Sequence, residues 1–287
     1  MTDIHSDEGS GVPAEAGQPR PAAAVQHMNA AVGSDRPEAA APHKKNVVVS
    51  VQDLRVRYRN GALGVLNVQF KVHEGQIVAL FGPNGAGKTT SVRAVTGFLR
   101  SEAKVVRGKV ELFGRDMTNC EPFKMTRAGS AFVPERRKVF PNLSVMENLN
   151  ALGIRPARDR RAEVFDRIFA LFPDLKVHRK QAAGRLSGGQ RQMLAIASAL
   201  VLEPRLLVID EMTLGLHHSM QAPLFDAVKQ ISNSGTALIV VDESAGFVLS
   251  FADYCYLLNG GVVRDEGPAS RFRGSELLAA GYVEAGQ

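Results

Sequence analysis

The run Gly82-Pro83-Asn84-Gly85-Ala86-Gly87-Lys88-Thr89 constrains this chain more than any other feature. It has the form G-x-x-x-x-G-K-[ST]. A short apolar run, Gln76 to Phe81, precedes it, and a helical pattern from Gly87 to Gly97 follows. A buried strand that turns through glycines into a helix can aim successive backbone N–H groups at phosphate oxygens. The helix N-terminus adds its partial positive charge. Gly82 to Thr89, with the next residue Thr90, therefore form the expected nucleotide-binding set. Lys88 is expected to reach the β- and γ-phosphates of ATP, and Thr89 to ligate Mg²⁺. On average composition the string arises by chance in roughly one chain in a hundred of this length. A ligand-free glycine turn is rarer still once the strand and helix flanks are added.

Leu206-Leu207-Val208-Ile209-Asp210-Glu211 supplies a second half. An acidic pair at the end of an apolar strand falls at the carboxyl edge of a parallel sheet, beside the phosphate loop. Asp210 is expected to hold Mg²⁺ directly or through water. Glu211 is expected to polarise the attacking water as the catalytic base. Taken alone, the pair could simply open the next loop.

The rest of the chain reads as one α/β domain with a mainly parallel sheet. Val47 to Tyr58 and Val65 to Val72 predict an antiparallel edge sheet, and Lys109 to Phe113 a further strand. The middle, from about Cys120 to Leu202, is mostly helical in pattern, with helices over Arg160 to Leu171 and Gly188 to Leu202. The apolar runs Leu206 to Ile209 and Ala237 to Val241, separated by a helix around Pro223 to Ile231, give a βαβ rhythm. No internal repeat is visible, so a single nucleotide-binding unit is expected.

Residues 1 to 46 differ in composition. They are rich in Ala, Pro, Gly and charge and contain no Leu, Phe, Tyr or Trp, so they are expected to form a disordered tail. The domain is expected to span 47–270, with a C-terminal helix or tail over 271–287. Asp3, Asp7, Glu8 and Glu15 stand where a secretory signal would be basic. No stretch of 18 apolar residues occurs, so no membrane-spanning helix is expected. Cys120 and Cys255 form no C-x-x-C and suggest neither a disulfide framework nor a zinc site. The net charge is +6, with clusters at Arg136-Arg137-Lys138 and Arg158 to Arg161. These read as solvated surface or as a contact for an anionic partner. No zinc-finger or RNA-binding signature accompanies them, so nucleic acid is not an expected partner.

Leu186-Ser187-Gly188-Gly189-Gln190 adds a string that is rare outside one superfamily. With the phosphate loop upstream and Asp210-Glu211 downstream, the chain resembles ABC ATPases over about Asn46 to Gly267. The resemblance implies a P-loop NTPase fold with an antiparallel β subdomain and a helical signature subdomain. It implies that Ser187, Gly188, Gly189 and Gln190 bind the phosphate of ATP held by a second ATP-binding subunit. Tyr58 matches the aromatic that stacks on adenine, although a strand aromatic packed in the sheet is the alternative. Glu135, in Phe132-Val133-Pro134-Glu135, falls where most members carry the Gln of the loop that senses the permease. Val139 to Leu149 and Gly189 to Ala197 resemble the ATP-binding subunits of branched-chain amino-acid importers. This implies transmembrane permease subunits as partners, a solute-binding protein reached indirectly, and a place on the cytoplasmic face of the membrane. A regulatory, slowly hydrolysing partner and a soluble ABC ATPase are the alternatives.

Three positions depart from the family pattern. Met212 stands where Pro usually follows the Glu, and His217 where an interface loop usually carries Asp. Glu243 stands where a His usually contacts the γ-phosphate and is counted with Glu211 as a catalytic position. A His can donate a hydrogen bond to phosphate; an ionised Glu can only accept. At about 4 Å and an effective dielectric of about 20 it would repel the phosphate by several kcal/mol.

Overall fold

Alternation along one short strand organises the molecule. In Ile77–Phe81 every residue is buried, with Ile77, Ala79 and Phe81 in one hydrophobic cluster and Val78 and Leu80 in another. Such a strand must be covered on both faces, which is the signature of a parallel sheet between two layers. The computed structural model describes residues 46–99, 102–136, 138–151, 159–213, 216–217, 220–243 and 245–273. The tail expected over 1–46 lies outside the described residues except for Asn46, as do the last residues, 274–287.

In chain order the elements are β1 (Val47–Tyr58), β2 (Leu63–His73), β3 (Ile77–Phe81), α1 (Lys88–Thr96), β4 (Ala103–Leu112), β5 (Arg115–Asp116), α2 (Pro122–Arg127), β6 (Ser130–Val133), α3 (Val145–Asn150), α4 (Arg161–Leu171) and α5 (Pro173–Val177). They continue with α6 (Gly188–Leu200), β7 (Leu206–Asp210), α7 (Gln221–Asn233), β8 (Ala237–Val241), α8 (Ala245–Phe251), β9 (Tyr254–Asn259), β10 (Val262–Pro268) and α9 (Ala269–Phe272). The strand order is β5-β4-β1-β2-β10-β9-β3-β8-β7-β6. β9, β3, β8, β7 and β6 run parallel to one another, while β10 pairs antiparallel with β9 and β1 pairs antiparallel with both β2 and β4. This is the expected P-loop architecture: a mainly parallel core, an antiparallel β subdomain and a helical region carrying α3 to α6.

Several elements differ from the sequence expectation. The middle segment contains a strand, β6, which pairs with β7 from Ser130↔Leu206 to Val133↔Ile209. Four residues are too few to show a period, and pairing to a buried neighbour decides their state. β4 begins at Ala103 and ends at Leu112, because Phe113 leaves the strand at φ +51. β9 and β10 were not anticipated, although the interior of β9 from Cys255 to Leu258 is buried throughout. α9 runs across the expected boundary at residue 270. Its Phe272 is 1% exposed and packs edge-on to Phe81 with ring centroids 5.4 Å apart.

Candidate functional site

Where β3 ends, the chain turns so tightly that a side chain is excluded. Gly82 has φ +143, and a Cβ there would lie 2.0 Å from the carbonyl oxygen of Leu258. Only glycine fits such a position. The loop closes into α1 through Gly87 in the left-handed conformation, which leaves the first backbone N–H groups of the helix open to a ligand. Asn84, Gly85, Ala86, Gly87, Lys88, Thr89 and Thr90 all border a cleft of about 470 Å³. Its other walls are Tyr58, Gly64, Glu135, Arg136, Glu211 and Glu243. The two remaining loop residues, Gly82 and Pro83, form the support beneath: Lys88 Nζ donates to the Gly82 oxygen at 2.8 Å and to the Pro83 oxygen at 3.1 Å. Lys88 as a whole is only 5% exposed, and its ammonium is held in place by its own loop.

Asp210 and Thr89 meet beneath this loop. The Thr89 hydroxyl donates to Asp210 Oδ1 at 3.1 Å, while the buried Oδ2 has no hydrogen-bond partner among the described residues. Burial raises the Asp210 pKa to about 6, against the lowering effects of the Thr89 hydrogen bond, Arg93 and Lys88. A buried carboxylate with an open oxygen calls for a partner. A carboxylate and a hydroxyl side by side are two hard oxygen donors, which suits Mg²⁺ completed by phosphate oxygens and water. The residues therefore fit the ion.

Glu211 follows at φ +53, a strained backbone for a residue that is not glycine. Its N–H is tied to the Val241 oxygen at 2.9 Å, so β8 fixes the direction of the side chain. Burial, then Asp242 and Glu243, push its pKa up to about 7, with Lys88 acting in the opposite sense. Asp242, 1% exposed, accepts from the backbone and hydroxyl of Thr213, both at 2.8 Å, and so fastens the chain after Glu211 to the end of β8. Glu243 is exposed and borders the cleft. Glu135 also borders it, with its carboxylate 2.9 Å from Arg136 Nε. The Tyr58 hydroxyl lies 2.8 Å from Thr90 Oγ1. Its ring occupies space that a Cβ on Gly64 would invade, at 2.4 Å.

The fold does not bring Ser187, Gly188, Gly189 and Gln190 to this cleft; none of them lines it. They open α6 instead. Gln190 N donates to Ser187 Oγ at 3.2 Å, and Ser187 N donates to Gln190 Oε1 at 3.0 Å, a reciprocal capping box. Ser187 is exposed. Gly189 is required by packing, since a Cβ would sit 2.7 Å from Met220 Cγ.

Five residues near the site were not anticipated: Gly64, Arg136, Lys138, Thr213 and Asp242. The basic run at 136–138 reads as solvated surface in the sequence, yet Arg136 borders the cleft and Lys138 is half-buried. Its position a few residues past β6 is the signal, but that strand is itself hidden in the sequence. Met212 is fully buried, and His217 is exposed; His218 lies outside the described residues.

Residues 65–214 match the ABC transporter family. The high-affinity branched-chain amino acid transport ATP-binding protein BraG of Pseudomonas aeruginosa is 36% identical over 205 residues, covering 71% of this chain and 86% of that protein. The probable branched-chain amino acid transport ATP-binding protein LivF of Archaeoglobus fulgidus is 33% identical over 224 residues, covering 77% of this chain and 93% of that protein. A nucleotide-free ATP-binding cassette from an ABC transporter superposes with a TM-score of 0.72 at 23% identity, over 83% of this chain and 99% of that one, which speaks for the fold. Among the described residues no helix is long and apolar enough to cross a membrane. A phosphate-loop cleft with an acidic edge and a capped signature helix, on a chain matched over these lengths, leaves one conclusion: the chain belongs to the ABC transporter family, as an ATP-binding, ATP-hydrolysing transport subunit.

Proposed function

We propose that this chain is one of two cassettes that power import of a branched-chain amino acid or a related small solute through transmembrane permeases. The observation that carries the reading is the division of the site. Asn84 to Thr90 and Glu211 line one cleft with Asp210 bonded to Thr89 beneath it, while Ser187 to Gln190 open a helix on another element and none of them lines that cleft. Each set is half of a phosphate site, and a second cassette placed head to tail would complete both. In this arrangement Lys88 and the N–H groups of the loop bind and orient the β- and γ-phosphates. Tyr58 carries the base, and Glu211 takes a proton from the attacking water. Thr89 and Asp210 would hold Mg²⁺, which when bound would neutralise charge on the phosphates. Closure of the pair on ATP does the mechanical work, and hydrolysis releases it. Peripheral attachment at the cytoplasmic face follows from docking on permeases. The names of BraG and LivF support the solute class. The test is uptake of labelled leucine, isoleucine and valine in cells with and without the chain. Loss of ATP-dependent uptake of these solutes is expected; unchanged uptake would redirect the search to another solute.

Glu243 favours a variation on this reading, in which the site of this chain turns over more slowly than the site of its partner cassette. A carboxylate at the cleft repels the γ-phosphate and also raises the pKa of Glu211. Glu243→His is expected to raise turnover at this site by about tenfold, the value of one charge-assisted hydrogen bond at the low end of its range. Steady-state ATPase of the assembled pair, with the partner's catalytic Glu disabled, reads that site alone. An equal or lower rate would mean that Glu243 is a working residue.

A further inference from the structure

The strand order spreads the walls of the cleft across the sheet. Tyr58 ends β1, on one side of β3, while β8, β7 and β6 lie on the other, and the phosphate loop follows β3 between them. A nucleotide with its base at Tyr58 and its phosphates on the loop therefore points its terminal phosphate toward the residues that follow β7 and β6. The pairing of those two strands runs to Val133↔Ile209, two residues before Glu135 and Glu211 respectively. Glu135, Glu211 and Glu243 all line the cleft, and three carboxylates on its wall repel an incoming triphosphate.

Two cations line the same cleft, Lys88 and Arg136. The Lys88 ammonium is already engaged with the oxygens of Gly82 and Pro83. Arg136 stands on the β6 side. The chain bends at Glu135 and Arg136, just after Pro134, and the Arg136 side chain is 84% exposed, so it can follow a ligand. Its Nε donates to Glu135 Oε1 at 2.9 Å. That bond uses the inner nitrogen of the guanidinium. The terminal nitrogens, Nη1 and Nη2, make no hydrogen bond among the described residues. A planar fork with both tips open can meet two phosphate oxygens at once.

We infer that Arg136 is a substrate-contacting residue: its guanidinium, tied to Glu135 at the cleft, binds the terminal phosphate of ATP and so favours the triphosphate over the diphosphate. This assignment rests on the cleft being the ATP site, with the base at Tyr58. It puts a hydrogen-bond donor on a wall where an ionised Glu243 can only accept.

Calorimetric titration of the full chain with ATP and with ADP, at low ionic strength, tests the contact. Arg136→Gln is expected to weaken ATP binding about fivefold, near the upper end for an exposed charge pair, and to leave ADP within about twofold of the parent chain. The ATP deficit should shrink in high salt, which screens exposed charges. Arg136→Lys keeps the charge without the fork and should lie between the parent chain and Arg136→Gln. Release of Glu135, whose carboxylate then faces the phosphates unpaired, is a second route to weaker binding. Glu135→Gln combined with Arg136→Gln separates the two. The double variant is expected to bind ATP about fivefold more weakly than Glu135→Gln alone. Equal affinity in those two variants would assign the whole effect to Glu135 and overturn the inference. ATP affinity within about twofold of the parent in Arg136→Gln, or an equal loss for ATP and ADP, also overturns it. Lys88→Ala is titrated alongside. If it loses ATP binding while Arg136→Gln does not, the role of Arg136 falls and the cleft stands; if neither variant loses binding, the reading of the cleft falls as well.

Discussion

Lys88→Ala is expected to lower the affinity for ATP by about a hundredfold or more, and to abolish transport. Two independent losses produce the effect. The ammonium is the cation nearest the transferred phosphate, and charge-assisted hydrogen bonds contribute about 1.5–3 kcal/mol each. The same ammonium holds the carbonyl oxygens of Gly82 and Pro83 from inside the loop, so its removal loosens the cradle as well. Lys88→Arg should fail too, because a planar guanidinium does not fit the space of a compact ammonium on a residue that is 5% exposed. Calorimetric titration with ATP measures the first variant, and melting temperature separates a lost ligand contact from a lost fold. An affinity within about threefold of the parent chain would remove Lys88 from the phosphate site.

How far the sequence could be read depended on where each signal lies. The phosphate loop was legible because its chemistry is local: glycines, a lysine and a hydroxyl within eight residues, bounded by a strand and a helix. Asp210 and Glu211 were legible because β7 is a continuous apolar run ending in two carboxylates. The antiparallel β1 and β2 showed by their alternation. What stayed hidden depends on pairing across the sheet. β6 is four residues long and becomes a strand only beside β7. Without β6 in place, nothing in the sequence sets Arg136 at the cleft, and its basic run looks like surface. Gly64 is similar: its reason is the ring of Tyr58, which a Cβ would meet at 2.4 Å, and that contact joins β1 to β2. Thr213 and Asp242 are 29 residues apart in sequence and meet only because β7 and β8 are neighbours.

Glu211→Gln is expected to slow hydrolysis by about a hundredfold or more, the range for loss of a positioned general base, while ATP binding is kept or tightened. The amide has the same shape, and the tie from the backbone N–H of residue 211 to the Val241 oxygen remains. An amide cannot take the proton of the attacking water. Binding should not suffer, because one negative charge leaves an edge where Asp242 and Glu243 already raise the Glu211 pKa. The pH dependence supplies a second signature. With a pKa pushed up to about 7, the carboxyl of the free chain becomes a base only as pH rises through that value. kcat/KM of the parent chain should therefore climb from pH 6 to pH 8, roughly one unit on either side of it. Stability has the opposite sign. The folded chain holds this proton more tightly than the unfolded chain, so between the unfolded pKa and about 7 the carboxyl costs stability as pH rises. The Gln variant loses that cost, so its melting temperature should exceed that of the parent by more at pH 8 than at pH 5. Turnover of the assembled pair, with the partner's catalytic Glu disabled, is the deciding measurement. A rate close to the parent's would show that another group accepts the proton, and Asp242, buried and clamped by Thr213, would be the next to change.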